Sequence, residues 1–163
     1  MKARMAAMWV AAIGAAILPI TARAQDSCAG AAEPGFVRLT VRAQNVQSSA
    51  GEVAFTLYPN IKRRFLAAGG KLLRTRVKAQ AGTTSACFWV APGAYALAVY
   101  HDADGDRDFD RSRLGSPVEG FAFSNNPPTR FGLPAFEAAR FDVGPEGRQL
   151  AVQMRYLRAD LSR

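Results

Sequence analysis

A two-residue hydrophobic period, in short runs cut by turns, constrains this chain more than any other feature. Residues 36–43 place Val37, Leu39 and Val41 on one side and Arg38, Thr40 and Arg42 on the other. Residues 52–58 repeat the pattern with Val53, Phe55 and Leu57. Successive side chains of a strand point to opposite faces, so such runs are half-buried strands. Leu72 to Ala79 reads as a strand with its basic residues outward, and residues 84–90 as another. Residues 94–101 are apolar on both sides, the mark of a central strand covered on both faces. Residues 139–143 and 149–157 end the pattern, the latter through Leu150, Val152, Met154 and Tyr156. Turn residues separate the runs: Ser48 to Gly51, Gly69-Gly70, Gly82 and Pro92-Gly93. Residues 60–68 are a short helix or an irregular loop, and Pro134 to Ala139 can make one helical turn. About seven short strands with little helix predict an all-β fold, a single antiparallel β-sandwich. The segment 102–134 breaks the pattern. It is rich in Gly, Pro, Asn and Phe and reads as one long ordered loop on the sandwich.

The first residues carry a different signal. Lys2 and Arg4 precede an uncharged apolar run from Ala6 to Ile20, and Ala22-Arg23-Ala24 offers small residues at a cleavage site. The run is shorter than the roughly 20 residues that span a bilayer, and polar sequence follows at once. Residues 1–24 therefore read as a signal peptide, and residues 25–163 as the mature β-sandwich domain, periplasmic or secreted and not membrane-spanning after cleavage. The alternative is an uncleaved anchor. The mature part has enough chain for one real core. Its two cysteines, Cys28 and Cys87, read as one disulfide in an oxidising compartment, with two free thiols as the other reading.

The charge balance is basic: 21 Lys and Arg against 13 Asp and Glu. Three of the basic residues, Lys2, Arg4 and Arg23, leave with the leader. The rest are dispersed and alternate with apolar residues, as solvent-facing strand positions do, so nucleic acid is not the expected partner. The acidic charge is concentrated instead. Asp102, Asp104, Asp106, Asp108 and Asp110 fall in the run His101-Asp102-Ala103-Asp104-Gly105-Asp106-Arg107-Asp108-Phe109-Asp110. Alternate aspartates on a curling loop bring carboxylates to one point, where they repel unless a cation neutralises them. Calcium takes 6–8 oxygen ligands and suits such a set better than magnesium, which keeps its waters. One histidine and many carboxylates make an oxygen site, not a zinc site. The expected calcium ligands are Asp102, Asp104, Asp106 and Asp110, with Glu119 folding back to complete the shell. The spacing is not that of an EF-hand, which wants glycine at position 6 and glutamate at position 12, where this loop has Arg107 and Arg113. The competing reading is a charged turn neutralised by Arg107, Arg111 and Arg113.

Further residues carry a resemblance. Pro92-Gly93-Ala94-Tyr95-Ala96 leads into Val99-Tyr100-His101-Asp102 and the acidic loop. Leu114-Gly115-Ser116-Pro117-Val118-Glu119-Gly120-Phe121-Ala122-Phe123-Ser124-Asn125-Asn126 follows, and Pro134 to Ala139 closes the stretch. The chain resembles the exported bacterial family known as domain of unknown function 2141, over roughly Val37 to Tyr156. It departs from that pattern at Asp104, Asp106 and Arg107, where the family usually carries Asn and Gly. The resemblance implies an envelope β-sandwich of the transthyretin-like or Ig-like kind and no particular activity.

Two functional classes follow. The first is a noncatalytic envelope module, calcium-stabilised, binding a protein, peptide or glycan or serving a structural role. His101, Phe121, Phe123, Ser124, Asn125 and Asn126 would then form a ligand surface beside the loop. The second is a small periplasmic hydrolase using His101 with nearby carboxylates and Ser124 as a distant nucleophile. The chain has no GxSxG elbow. Phe121, Phe123, Phe131 and Phe136 read more readily as a small core under the loop than as a sugar platform.

Overall fold

A computed structural model describes residues 28–157 except 114, 130 and 131. The expected leader, residues 1–24, and Phe131 lie outside the described residues. Eight strands follow in order: β1 Val37–Val46, β2 Glu52–Pro59, β3 Leu73–Lys78, β4 Gly82–Val90, β5 Gly93–Asp102, β6 Gly120–Phe123, β7 Arg140–Val143 and β8 Arg148–Gln153. A 3-10 turn, Lys62–Arg64, lies between β2 and β3, and a single helical turn, α1 Phe136–Ala139, precedes β7.

The strands form two sheets. The smaller is ordered β4-β1-β8 and the larger β3-β2-β5-β6, with β7 also on β5. This is the expected all-β sandwich, with two corrections. The sheet is not purely antiparallel, because β1 and β8 run parallel, with Leu39 opposite Arg148 and Ala43 opposite Val152. The segment 102–134 is not all loop, because it contains β6. Alternation could not reveal β6: all four of its residues, Gly120, Phe121, Ala122 and Phe123, are buried.

Two apolar clusters explain the layering. The inner one lies between the sheets and joins Leu39 and Val41 of β1, Val53, Phe55 and Leu57 of β2, Phe88 of β4, Leu97 and Val99 of β5, and Val152 of β8. These are the residues whose alternation marked the strands. The outer one covers the far face of the larger sheet with Ala54, Tyr58, Ala96, Tyr100, Phe121, Phe123 and Phe136. Strand β5 is therefore buried on both faces, as its unbroken apolar run requires. Cys28 and Cys87 are joined by a disulfide. The adjoining backbone is held as well: Ala29 N–H donates to the Cys87 carbonyl at 2.9 Å, and Trp89 N–H donates to the Ala29 carbonyl at 2.9 Å. No helix among the described residues is long and apolar enough to cross a membrane.

Candidate functional site

The acidic loop begins where β5 ends. Asp102 still pairs with Glu52 across the β2–β5 ladder, and it is fully buried. Its Oδ2 accepts from the Arg76 guanidinium at 2.8 Å and from the Arg107 N–H at 3.0 Å. Its Oδ1 accepts from the Gly105 N–H at 2.8 Å. A carboxylate has roughly four lone-pair positions, so these three donors leave one. Arg76 lies over the Tyr100 ring, 5.3 Å from its centroid, and donates to the Arg107 carbonyl at 2.9 Å. One guanidinium thus ties the loop's first carboxylate to its sixth residue and to the sheet beneath. Gly51 permits the close approach of the β1–β2 turn, since a Cβ there would lie 1.9 Å from the Asp102 carbonyl oxygen.

Beyond Asp102 the loop curls through short side-chain turns. Asp104 Oδ1 accepts from the Asp106 N–H at 3.3 Å, and Asp106 Oδ1 accepts from the Asp108 N–H at 2.8 Å. Gly105 and Arg107 both take left-handed backbone, at φ 81° and 69°. The curl brings side-chain oxygens of Asp102, Asp104 and Asp106 within 4.8 Å of one another. Three of the five expected ligands therefore converge. Asp110 and Glu119 stand beside them, lining with Asp104 and His101 an open hollow of about 420 Å³.

Glu119 is the unusual member. Its Oε2 accepts from the Asp110 N–H at 3.3 Å, while its Oε1 is buried with no hydrogen-bond partner among the described residues. Burial pushes its carboxyl up to about 7, and the nearby Asp102 and Asp110 charges push the same way against the N–H groups of Asp110 and Ala103. The Asp110 carboxyl is also raised, first by the charge of Asp106 and then by its own burial and the remaining aspartates. Negative charge is thus crowded here beyond what Arg76 relieves. Two of the arginines expected to neutralise the loop, Arg107 and Arg111, make no close ion pair with its aspartates among the described residues. Arg107 comes only to 4.0 Å of Glu52, and Arg111 stacks on Phe109, 5.2 Å from its centroid.

The residues expected to form a ligand surface are mostly interior. His101, Phe121, Phe123 and Ser124 are 2%, 4%, 5% and 0% exposed. His101 Nε2 lies 2.9 Å from the Ala50 carbonyl, which can only accept, so Nε2 carries the proton. Nδ1 then accepts from the Tyr156 hydroxyl at 2.8 Å. Both ring nitrogens are engaged in holding the β1–β2 turn and the chain after β8 to β5. Gly120 lets the Tyr156 ring pack there, since a Cβ would lie 2.2 Å from it.

Ser124 fills a junction. The outer half of β5, Ala98 to His101, pairs with β6, and the inner half, Gly93 to Ala96, pairs with β7. Leu97 sits between the two ladders. Ser124 Oγ accepts its N–H at 2.9 Å, the Ser124 N–H donates to its carbonyl at 3.1 Å, and Ser124 Oγ also bonds the Ala139 carbonyl. Asn125 and Asn126 continue in left-handed backbone, φ 63° and 49°. The Asn125 amide donates to the Ala138 and Arg140 carbonyls at 3.2 and 2.7 Å, and Asn126 Oδ1 accepts the Gln153 N–H at 2.7 Å. The Ser-Asn-Asn run is a fastener for β5, α1, β7 and β8. Ser124 lies opposite Leu97, four residues along β5 from His101, about 13 Å at a strand's rise, so the two are not a catalytic pair.

A model for a family described as "Uncharacterized protein conserved in bacteria (DUF2141)" matches residues 41–151. The chain belongs to that family. No curated protein and no solved structure matches it. The DUF2141 match runs from β1 to β8 and takes in both the acidic loop and the Ser124-Asn125-Asn126 fastener. Within this DUF2141 chain, sequence reasoning missed two residues of the site. Arg76 looked like any outward basic residue of β3, and Tyr156 like one more alternating residue. The only signal for Arg76 was its register, level with Ala54 and so two residues along β2 from Glu52, which pairs with Asp102.

Proposed function

We propose that this chain is an exported, noncatalytic β-sandwich module whose acidic loop holds a hard divalent cation, calcium, and so fixes the segment after β5 against the larger sheet. The observation that carries the reading is the pairing of three converging aspartates with Glu119, whose buried Oε1 lacks a partner beside them. A bound calcium would supply positive charge and an oxygen-seeking centre. Asp102, Asp104 and Asp106 would hold it, and Asp110 and Glu119 would complete its surroundings. The donor set is all oxygen, which suits calcium over zinc.

Export is supported by the leader pattern of residues 1–24 and by the Cys28–Cys87 bridge, which an oxidising compartment favours. A structural role for His101 supports the noncatalytic reading over a hydrolase, because both of its ring nitrogens are already bonded.

The test is the melting temperature of the purified protein in EDTA and in millimolar calcium. The expected result is a rise of several degrees with calcium, as mass action requires of a ligand bound only by the folded state, and no rise for the Asp104→Asn, Asp106→Asn double variant. Equal melting temperatures with and without calcium would leave the loop a charged turn held by Arg76. Mass spectrometry of the protein recovered from the periplasm tests export, with a chain beginning at Gln25 as the expected species.

A further inference from the structure

On the far side of the acidic loop the larger sheet carries a second, chemically different hollow. Its floor is the outer face of β2 and β5, where Ala98 leaves a gap between larger neighbours. Tyr58, Tyr100, Phe121 and Phe123 wall it, and Phe109 from the acidic loop closes one side. The cavity is about 200 Å³. The rings around it already meet edge to face: Tyr100 and Phe109 at 5.6 Å, Phe109 and Phe121 at 6.3 Å, Phe121 and Phe123 at 6.0 Å. A flat ring entering the gap would extend that arrangement. Leu66, also at the wall, sits in left-handed backbone at φ 57°, a strained choice for a bulky residue.

Two guanidiniums stand at this apolar hollow. Arg74 reaches across from β3, its Nε donating to Thr56 Oγ1 at 2.8 Å, and its charge bears on the Tyr58 hydroxyl. Arg111 comes from the acidic loop and lies over Phe109. Neither has a carboxylate partner among the described residues, although five aspartates lie in the same loop as Arg111. An aromatic pocket with two unneutralised guanidiniums at its edge calls for a ligand with an apolar body and an anionic end. We propose that this pocket binds a small aromatic carboxylate, its ring over Ala98 among the Tyr and Phe side chains and its carboxylate received by Arg74 and Arg111. Guanidinium groups bind carboxylates through paired N–H donors, and an apolar cavity with few convergent polar groups is the usual form of a small-molecule site. Phe109 and Arg111 come from the acidic loop, but none of the expected cation ligands lines the pocket.

The test is a titration of the disulfide-bonded protein, in millimolar calcium, with three probes: phenylacetate, the neutral phenylacetamide, and acetate. Binding is followed by the aromatic ¹H–¹³C NMR signals of the Tyr and Phe rings. Phenylacetate should shift the signals of Phe121, Phe123 and Tyr100 saturably. Phenylacetamide should bind at least about tenfold more weakly, the margin expected of a charged hydrogen bond, and acetate should leave the rings unmoved. The Arg74→Gln, Arg111→Gln double variant should lower phenylacetate affinity by the same factor, while dispersed aromatic signals of the unliganded variant show that it is still folded. Ala98→Leu, which fills the floor, should abolish the shifts. Equal affinity for phenylacetate and phenylacetamide, an unchanged affinity in the double arginine variant, or shifts confined to residues outside the pocket would each overturn the proposal, as would no saturable shift with phenylacetate at all.

Discussion

Arg107 holds left-handed backbone, φ 69°, inside the acidic loop, a conformation that crowds Cβ against its own carbonyl. Its side chain repays little of that strain, since it is exposed and approaches Glu52 only to 4.0 Å. What the loop needs from this position is the backbone: the N–H held by Asp102 and the carbonyl held by Arg76. Arg107→Gly should therefore stabilise the protein by about 1 kcal/mol in urea denaturation, the gain expected when glycine takes a left-handed site. A loss would mean that the side chain contributes more than its distance from Glu52 suggests. At this scale the sequence was legible in part. The clustered aspartates pointed to the loop, and three of them do converge. Arg76 was not legible, because an arginine on an alternating strand looks the same whether it meets water or a buried carboxylate. Glu119 was legible only as a returning acid; its buried, unpartnered oxygen depends on how the chain folds back after Pro117.

Among the elements, β5 explains most of the rest. Among the described residues it is the one strand with two partners on the same edge, β6 and then β7, and the break between them falls at Leu97. A ladder that changes partner leaves a backbone N–H and C=O without a strand opposite, and buried backbone groups left so are costly. Ser124 supplies both contacts. Ser124→Ala should leave the Leu97 N–H without its acceptor in a fully buried site and cost about 1–3 kcal/mol. Equilibrium urea unfolding reads the loss, and amide exchange at Leu97 should accelerate with it. A change near zero would require a substitute acceptor at that point. The specific Ser-Asn-Asn run was legible as a motif but not as a fastener, because its partners, Leu97, Ala138, Arg140 and Gln153, are set by topology rather than by neighbours in sequence. Strand β6 escaped notice for the opposite reason. Covered on both faces and four residues long, it has no polar side to reveal a period. The longer half-buried strands, β1 and β2 among them, were plain because water and core divide their residues cleanly.

For the molecule as a whole, the sandwich class was readable and one connection was not. Alternation tells which residues face a core, but it carries no sign of strand direction, so the parallel pairing of β1 with β8 could not be foreseen. The disulfide was foreseeable from two cysteines behind a leader-like sequence pattern, and it spans 59 residues of sequence. A cross-link over a loop of that length is worth about 4 kcal/mol in the chain-entropy model. Replacing both Cys28 and Cys87 with alanine should lower the unfolding free energy by roughly that much. A much smaller loss would mean that the Ala29 bridge to β4 already holds the lead-in without the bond.

The place of β1 has a consequence in time. It is the middle strand of the smaller sheet, and one of its two neighbours, β8, is the last of the described strands to be synthesised. Until residues 148–153 exist, β1 keeps an open side that no earlier strand fills in this topology, and the inner core lacks Leu150 and Val152. The closing step of folding therefore joins residues far apart in sequence, which is slow. Such lateness keeps a polypeptide threadable. It also leaves the nascent edge exposed to other strands for as long as the wait lasts, a hazard that a chaperone holding the unfinished chain would remove.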